Sequence, residues 1–128
     1  MKYAVIDVGS NTVRLCVYDV LCPEKRKFKT IMNRKIMAGL AAYIVDGAFS
    51  DEGIAEAILA VKKCIKRASY LSPDRIDVFA TAVLRNISNR AQAIAAIEQG
   101  AGCTISLLSN ADEAHLGFVG ASSRGTLD

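Results

Sequence analysis

Three groups of residues in this chain have types and spacings suited to chemistry. Asp7 lies near the end of an apolar run and is followed by Gly9, Ser10, Asn11 and Thr12, a small polar turn. A carboxylate there is available to a hard cation. Backbone N–H groups and the hydroxyls of Ser10 and Thr12 can point at an anion, and Gly9 has no Cβ to hold a bound group away. The second group is Ala80 to Arg85, which reads A-T-A-V-L-R and offers the Thr81 hydroxyl and the Arg85 guanidinium. The third is the adjacent acid pair Asp112 and Glu113. A metal-binding carboxylate, a cation and a base are what phosphoryl transfer needs. Each group also has an ordinary reading. D-x-G-S-N turns close plain hairpins, arginines serve as surface cations, and acids are favoured in the first turn of a helix by its dipole. His115, the only histidine, reads as a polar surface or packing residue. The functional reading rests on the three groups meeting at one place.

The elements that must bring them together follow from periodicity. Ala4 to Val8 and Val13 to Tyr18 are apolar runs on either side of the turn and predict a hairpin whose second strand runs to Val20. Leu21, Cys22 and Pro23 then turn the chain into a third strand from about Arg26 to Met37, completing an antiparallel meander. Gly39 to Phe49 has no clear period and reads as a packed loop. Ser50 is an N-cap for a helix with Asp51 and Glu52 in its first turn and apolar positions Ile54, Ile58, Val61, Ile65 and Ala68, stopped at Ser72-Pro73. A strand from Arg75 to Thr81, a helical turn from Ala82 to Asn86, a helix capped by Asn89 and ended by Gly100 and Gly102, a strand from Cys103 to Leu108 and a helix capped by Ser109 complete the order βββ-α-β-α-β-α. That order predicts an α/β domain built on a mixed five-stranded sheet with helices on both faces. Its parallel strands deliver their C-terminal ends to one edge, where ligands usually bind.

Composition excludes several classes. A chain of 128 residues that is 52% hydrophobic suits a single folded domain, and a net charge of +3 marks neither a dedicated DNA binder nor a membrane-surface protein. Lys25, Arg26, Lys27, Lys29, Arg34 and Lys35 crowd one segment, which either faces a polyanion or is a solvated strand face. No signal-like start and no apolar run of about 20 residues is present, so the expectation is a cytoplasmic protein that does not span a membrane. Cys16, Cys22, Cys64 and Cys103 form no C-x-x-C pair, which argues against zinc and a disulfide framework. No G-x-S-x-G elbow accompanies His115, which argues against nucleophilic hydrolysis.

I-D-V-G-S-N-T-V-R-L from Ile6 to Leu15, A-T-A-V-L-R from Ala80 to Arg85 and L-L-S-N-A-D-E-A-H-L from Leu107 to Leu116 resemble three successive motifs of the exopolyphosphatase and guanosine pentaphosphate phosphohydrolase family. The resemblance implies a ribonuclease-H-like, actin-like ATPase domain and makes residues 1–128 the N-terminal lobe of a two-lobed phosphatase, a homodimer being compatible with it. It further implies that Asp7 helps to hold Mg2+, that Gly9, Ser10, Asn11, Thr12 and Arg85 bind phosphate with Thr81 in support, and that Glu113 is the catalytic base, tuned by Asp112. The implied substrate is polyphosphate or guanosine pentaphosphate and the implied partner is the second lobe. Asn110 and His115 depart from the family's glycine and arginine at those positions, and the second phosphate motif, D-x-G-G-G-S, is expected beyond Asp128. Two alternatives accompany this reading: a lone lobe that binds polyphosphate or a partner without turnover, and a lobe of a related sugar or acetate kinase.

Overall fold

The computed structural model describes residues 1–22, 25 and 27–107. Strands β1 (Lys2–Val8), β2 (Val13–Cys22) and β3 (Lys27–Ile36) form the expected meander, with β2 extending past Val20 so that Leu21 and Cys22 belong to the strand rather than to a turn. Strands β6 (Arg75–Ala80) and β7 (Ile105–Leu107) add in parallel on the other side of β1, so the sheet order is β3-β2-β1-β6-β7. Between β3 and β6 the chain makes a 3-10 helix (Leu40–Tyr43), a two-stranded hairpin of β4 (Ile44–Val45) and β5 (Ala48–Phe49), and α1 (Asp51–Ser69). Helices α2 (Ala82–Arg85) and α3 (Arg90–Ala101) lie between β6 and β7.

One face of the sheet carries the core. Ala4, Ile6 and Val8 of β1, Val13, Leu15 and Val17 of β2, and Val78 and Ala80 of β6 are buried at period two, and they pack in one cluster with residues of α1 and α3. The Ser50 hydroxyl accepts from the Gly53 N–H at 3.1 Å and starts α1 as expected. The helix seats on a stripe slightly rotated from the one the sequence suggests. Ala57 and Cys64 join Ile54, Val61 and Ala68 in the buried stripe, while Ile58 and Ile65 pack at its flank. The small residues let α1 lie close to the sheet, and Ile58 reaches across to α3 at Gly100.

Two expectations are corrected. Residues 39–49 are ordered secondary structure rather than loop, because Asp46 and Gly47 both take positive φ (52° and 81°) and so close the β4–β5 hairpin with the turn that an Asp-Gly pair favours. Asn89 occupies the residue before α3, but its side chain makes no cap bond there. At the other end α3 runs through Gly100 and stops at Gly102, whose φ of 72° is the left-handed conformation that ends helices. The helix expected from Ser109 lies outside the described residues.

Candidate functional site

The parallel register of β1, β6 and β7 decides where the reactive residues go. Val8 pairs with Ala80, and Ala80 with Leu107, so three strands finish side by side at one edge of the sheet. Asp7 is the penultimate residue of β1 at that edge. It is half-buried, with Oδ1 beneath the surface.

The turn after it is closed by its own backbone. The Gly9 N–H donates to the Thr12 carbonyl at 2.9 Å, and a Cβ on Gly9 would stand 3.1 Å from that same oxygen. A side chain at position 9 would press on the turn's own backbone, so glycine suits this position. The carbonyls of Ser10 and Asn11 point away to accept from the N–H groups of Ala41 (2.8 Å) and Gly39 (2.9 Å), which anchors the 3-10 helix to the turn.

Thr81 joins the second group to the first. Its N–H and its hydroxyl both donate to the Val8 carbonyl, at 3.2 and 3.3 Å. The Thr81 carbonyl in turn accepts from the N–H groups of Leu84 and Arg85, at 3.2 and 3.1 Å, so α2 begins where β1 ends. Arg85 closes α2, half-buried, one helical turn from Thr81. Asp7, Gly9, Ser10, Asn11, Thr12, Thr81 and Arg85 thus share one edge. Strand β7 brings the chain to that edge at Leu107, while Asp112 and Glu113, with Asn110 and His115, lie outside the described residues.

Register also exposes one residue that motif reading missed, Arg14. Asp7 pairs with Arg14 and Arg14 with Lys35, so carboxylate, guanidinium and ammonium lie in a row on the face opposite the core. Counting the four residues of the turn would have found Arg14, since Val8 opposite Val13 puts Asp7 opposite Arg14. Two other cations of the basic segment lie elsewhere. Lys27 and Lys29 are exposed at the far end of β3, about 20 Å from Lys35 along an extended strand.

The described donors are of the oxygen type that a hard divalent cation such as magnesium takes. Asp7 and the neighbouring hydroxyls are hard oxygen groups, and among the described residues no three Asp, Glu, His or Cys side chains gather into a protein cage. Magnesium is commonly held by one or two carboxylates together with substrate phosphates. Cys16, Cys64 and Cys103 are free thiols. Burial pushes the Cys64 thiol up to about 11, and burial followed by the nearby Glu98 raises that of Cys103. The Tyr3 phenol is held protonated by burial and by donating to Asp77, and Asp77 in turn accepts from Arg75. That network lies toward the opposite end of β1 from Asp7. Among the described residues no helix is long and apolar enough to cross a membrane.

A mixed sheet in this order, with helices packed on it and polar groups gathered where its parallel strands end, defines a ribonuclease-H-like domain of the actin-like ATPase class. The model of the Ppx/GppA phosphatase family matches residues 21–126, and the chain belongs to that family. Solved structures agree on the fold. An exopolyphosphatase-like protein superposes with a TM-score of 0.84 at 24% identity, over 98% of this chain and 38% of its own. The Ppx/GppA family member of Aquifex aeolicus gives 0.83 at 21% identity, over 96% and 40%. An exopolyphosphatase from Cytophaga hutchinsonii gives 0.80 at 25% identity, over 91% and 36%. This chain therefore spans roughly two-fifths of the length of the structures it matches.

Proposed function

We propose that this chain is the N-terminal lobe of a two-lobed, magnesium-dependent phosphohydrolase that cleaves the terminal phosphoanhydride bond of polyphosphate or guanosine pentaphosphate. The observation that carries the reading is the bonding of Thr81 to the Val8 carbonyl, which sets the Arg85 helix against the Asp7 turn at the edge where β7 also ends. The family's name and the exopolyphosphatases among the similar structures support the substrate class.

In this reading Asp7 would hold magnesium, whose charge offsets that of the phosphate oxygens. Gly9 lets the backbone come close to phosphate, Ser10, Asn11 and Thr12 receive its oxygens through N–H and hydroxyl groups, and Arg85 clamps the terminal group through its planar fork. Glu113 takes a proton from the attacking water as the new P–O bond forms and the anhydride P–O bond breaks, so no phosphoenzyme arises. Asp112, its neighbour in sequence, supports the base without accepting the proton itself.

The test is phosphate release from polyphosphate by the longer protein that carries the second lobe. Glu113→Gln is expected to lower turnover by about 10²–10⁴-fold while affinity stays within a few-fold. Asp112→Asn should cost far less. Loss of activity in Asp112→Asn with Glu113→Gln intact would show that Asn110 re-aims this loop and that the base is misassigned.

A further inference from the structure

We propose that Asn89 is a positioning residue that ties the loop after Arg85 to the Gly9–Thr12 turn through the strap of residues 37–50. Its bearing on phosphate rests on the function proposed above. Asn89 stands where an N-cap is expected, yet its amide is turned away from the helix and onto Phe49. The Phe49 N–H donates to Asn89 Oδ1 at 2.8 Å, and Asn89 Nδ2 donates to the Phe49 carbonyl at 2.9 Å. Used at both ends in this way, the side-chain amide copies a peptide group of a neighbouring strand. One residue earlier, the Ser88 N–H donates to the Gly47 carbonyl at 2.8 Å. The loop that follows Arg85 is thus stitched to the β4–β5 hairpin at two consecutive residues.

The far side of the same strap is held by the candidate phosphate turn. The Ser10 and Asn11 carbonyls accept from Ala41 and Gly39, and the strap is closed on itself by Ser50 N–H donating to the Tyr43 carbonyl at 3.0 Å and by the pairing of Ile44 with Phe49. Arg85 is consequently held from two directions: Thr81 bonds the start of α2 to β1, and Asn89, four residues beyond Arg85, bonds its exit to a strap that ends on the turn. Packing keeps the strap from slipping, since a Cβ on Gly53 would come within 2.5 Å of the Phe49 ring and 2.6 Å of Tyr43 Cβ. Only an asparagine side chain of this length offers one acceptor and one donor at the spacing of a peptide group. Serine and aspartate match it as helix caps but cannot make the pair.

That difference separates the two roles. In the whole 128-residue chain, Asn89→Ser keeps a capping hydroxyl and loses the tie, so amide hydrogen exchange is expected to rise about tenfold at Phe49, Ser88, Gly39 and Ala41 while the α3 amides keep their protection. Binding of tripolyphosphate with magnesium is read alongside it. Asn89→Ser should weaken binding several-fold and should add nothing to the loss already caused by Arg85→Ala, because it acts through that loop. Unchanged exchange at Gly39 and Ala41, or losses that add in the double variant, would overturn the proposal. If Arg85→Ala leaves binding untouched while exchange still couples Phe49 to Gly39 and Ala41, the function proposed above fails and the tie stands.

Discussion

Asp7, Arg14 and Lys35 form a row across three strands beside the candidate phosphate turn. Cations placed there extend an attractive field away from the turn over roughly the 10 Å Debye length of ordinary salt, so on the proposed function they would reach the second and later phosphates of a bound chain. Replacing Arg14 and Lys35 together by alanine is expected to weaken long polyphosphate more than tripolyphosphate, about tenfold at low salt and less at high salt, by titration calorimetry. Replacing Lys27 and Lys29, at the other end of β3, should change little. Equal losses for the two pairs would mean that charge alone, rather than position, governs binding. Asp7, the turn and Arg85 were legible in the sequence because strand ends and small polar turns are local signals. Arg14 was legible by counting across the hairpin. Asn89 was not, because an asparagine before a helix has the composition of a cap, and its pairing with Phe49, 40 residues away, leaves no local trace.

The helices and the small hairpin show where local preference yields to packing. Alanine is a better helix former than glycine by about 1 kcal/mol, yet Gly53 in α1 has the Phe49 ring and Tyr43 in the space of its missing Cβ. Gly53→Ala is therefore expected to destabilise by about 1–3 kcal/mol. Gly100→Ala meets one side chain, Ile58, at Cδ1 (2.5 Å), Cγ1 (3.0 Å) and Cγ2 (3.2 Å), and is expected to cost less than Gly53→Ala, which meets two; urea midpoints of the two variants give the comparison. The Asp46-Gly47 signal of the β4–β5 hairpin was present in the sequence, but two-residue strands carry too little periodicity to announce themselves. A pH dependence also belongs to the elements. Burial holds the Cys64 thiol up to about 11 and raises the Tyr3 phenol, so the folded state keeps protons that the unfolded chain releases. Stability contributed by these groups is full below about pH 8.5 and is lost as pH rises through the folded values, the Cys64 share being at most about 2–3 kcal/mol. Urea unfolding between pH 8 and 11 should show this fall, flatter in Cys64→Ala. An identical slope in that variant would remove Cys64 from the account.

At the scale of the whole molecule, the order β3-β2-β1-β6-β7 makes the edge beyond β1, β6 and β7 a meeting point of segments far apart in sequence. The strand order was legible because a meander followed by parallel crossovers has few solutions. How closely the turn and the Arg85 helix meet was not, since it depends on the bonds from Thr81 to Val8 and on the strap. The most direct test of a phosphate site at this edge is calorimetric titration of tripolyphosphate into the chain across a range of magnesium concentrations. Binding is expected to require magnesium, Asp7→Asn to raise the magnesium needed, and Arg85→Ala to weaken binding about tenfold at every magnesium concentration. Binding that is indifferent to magnesium and unchanged in both variants would contradict the account.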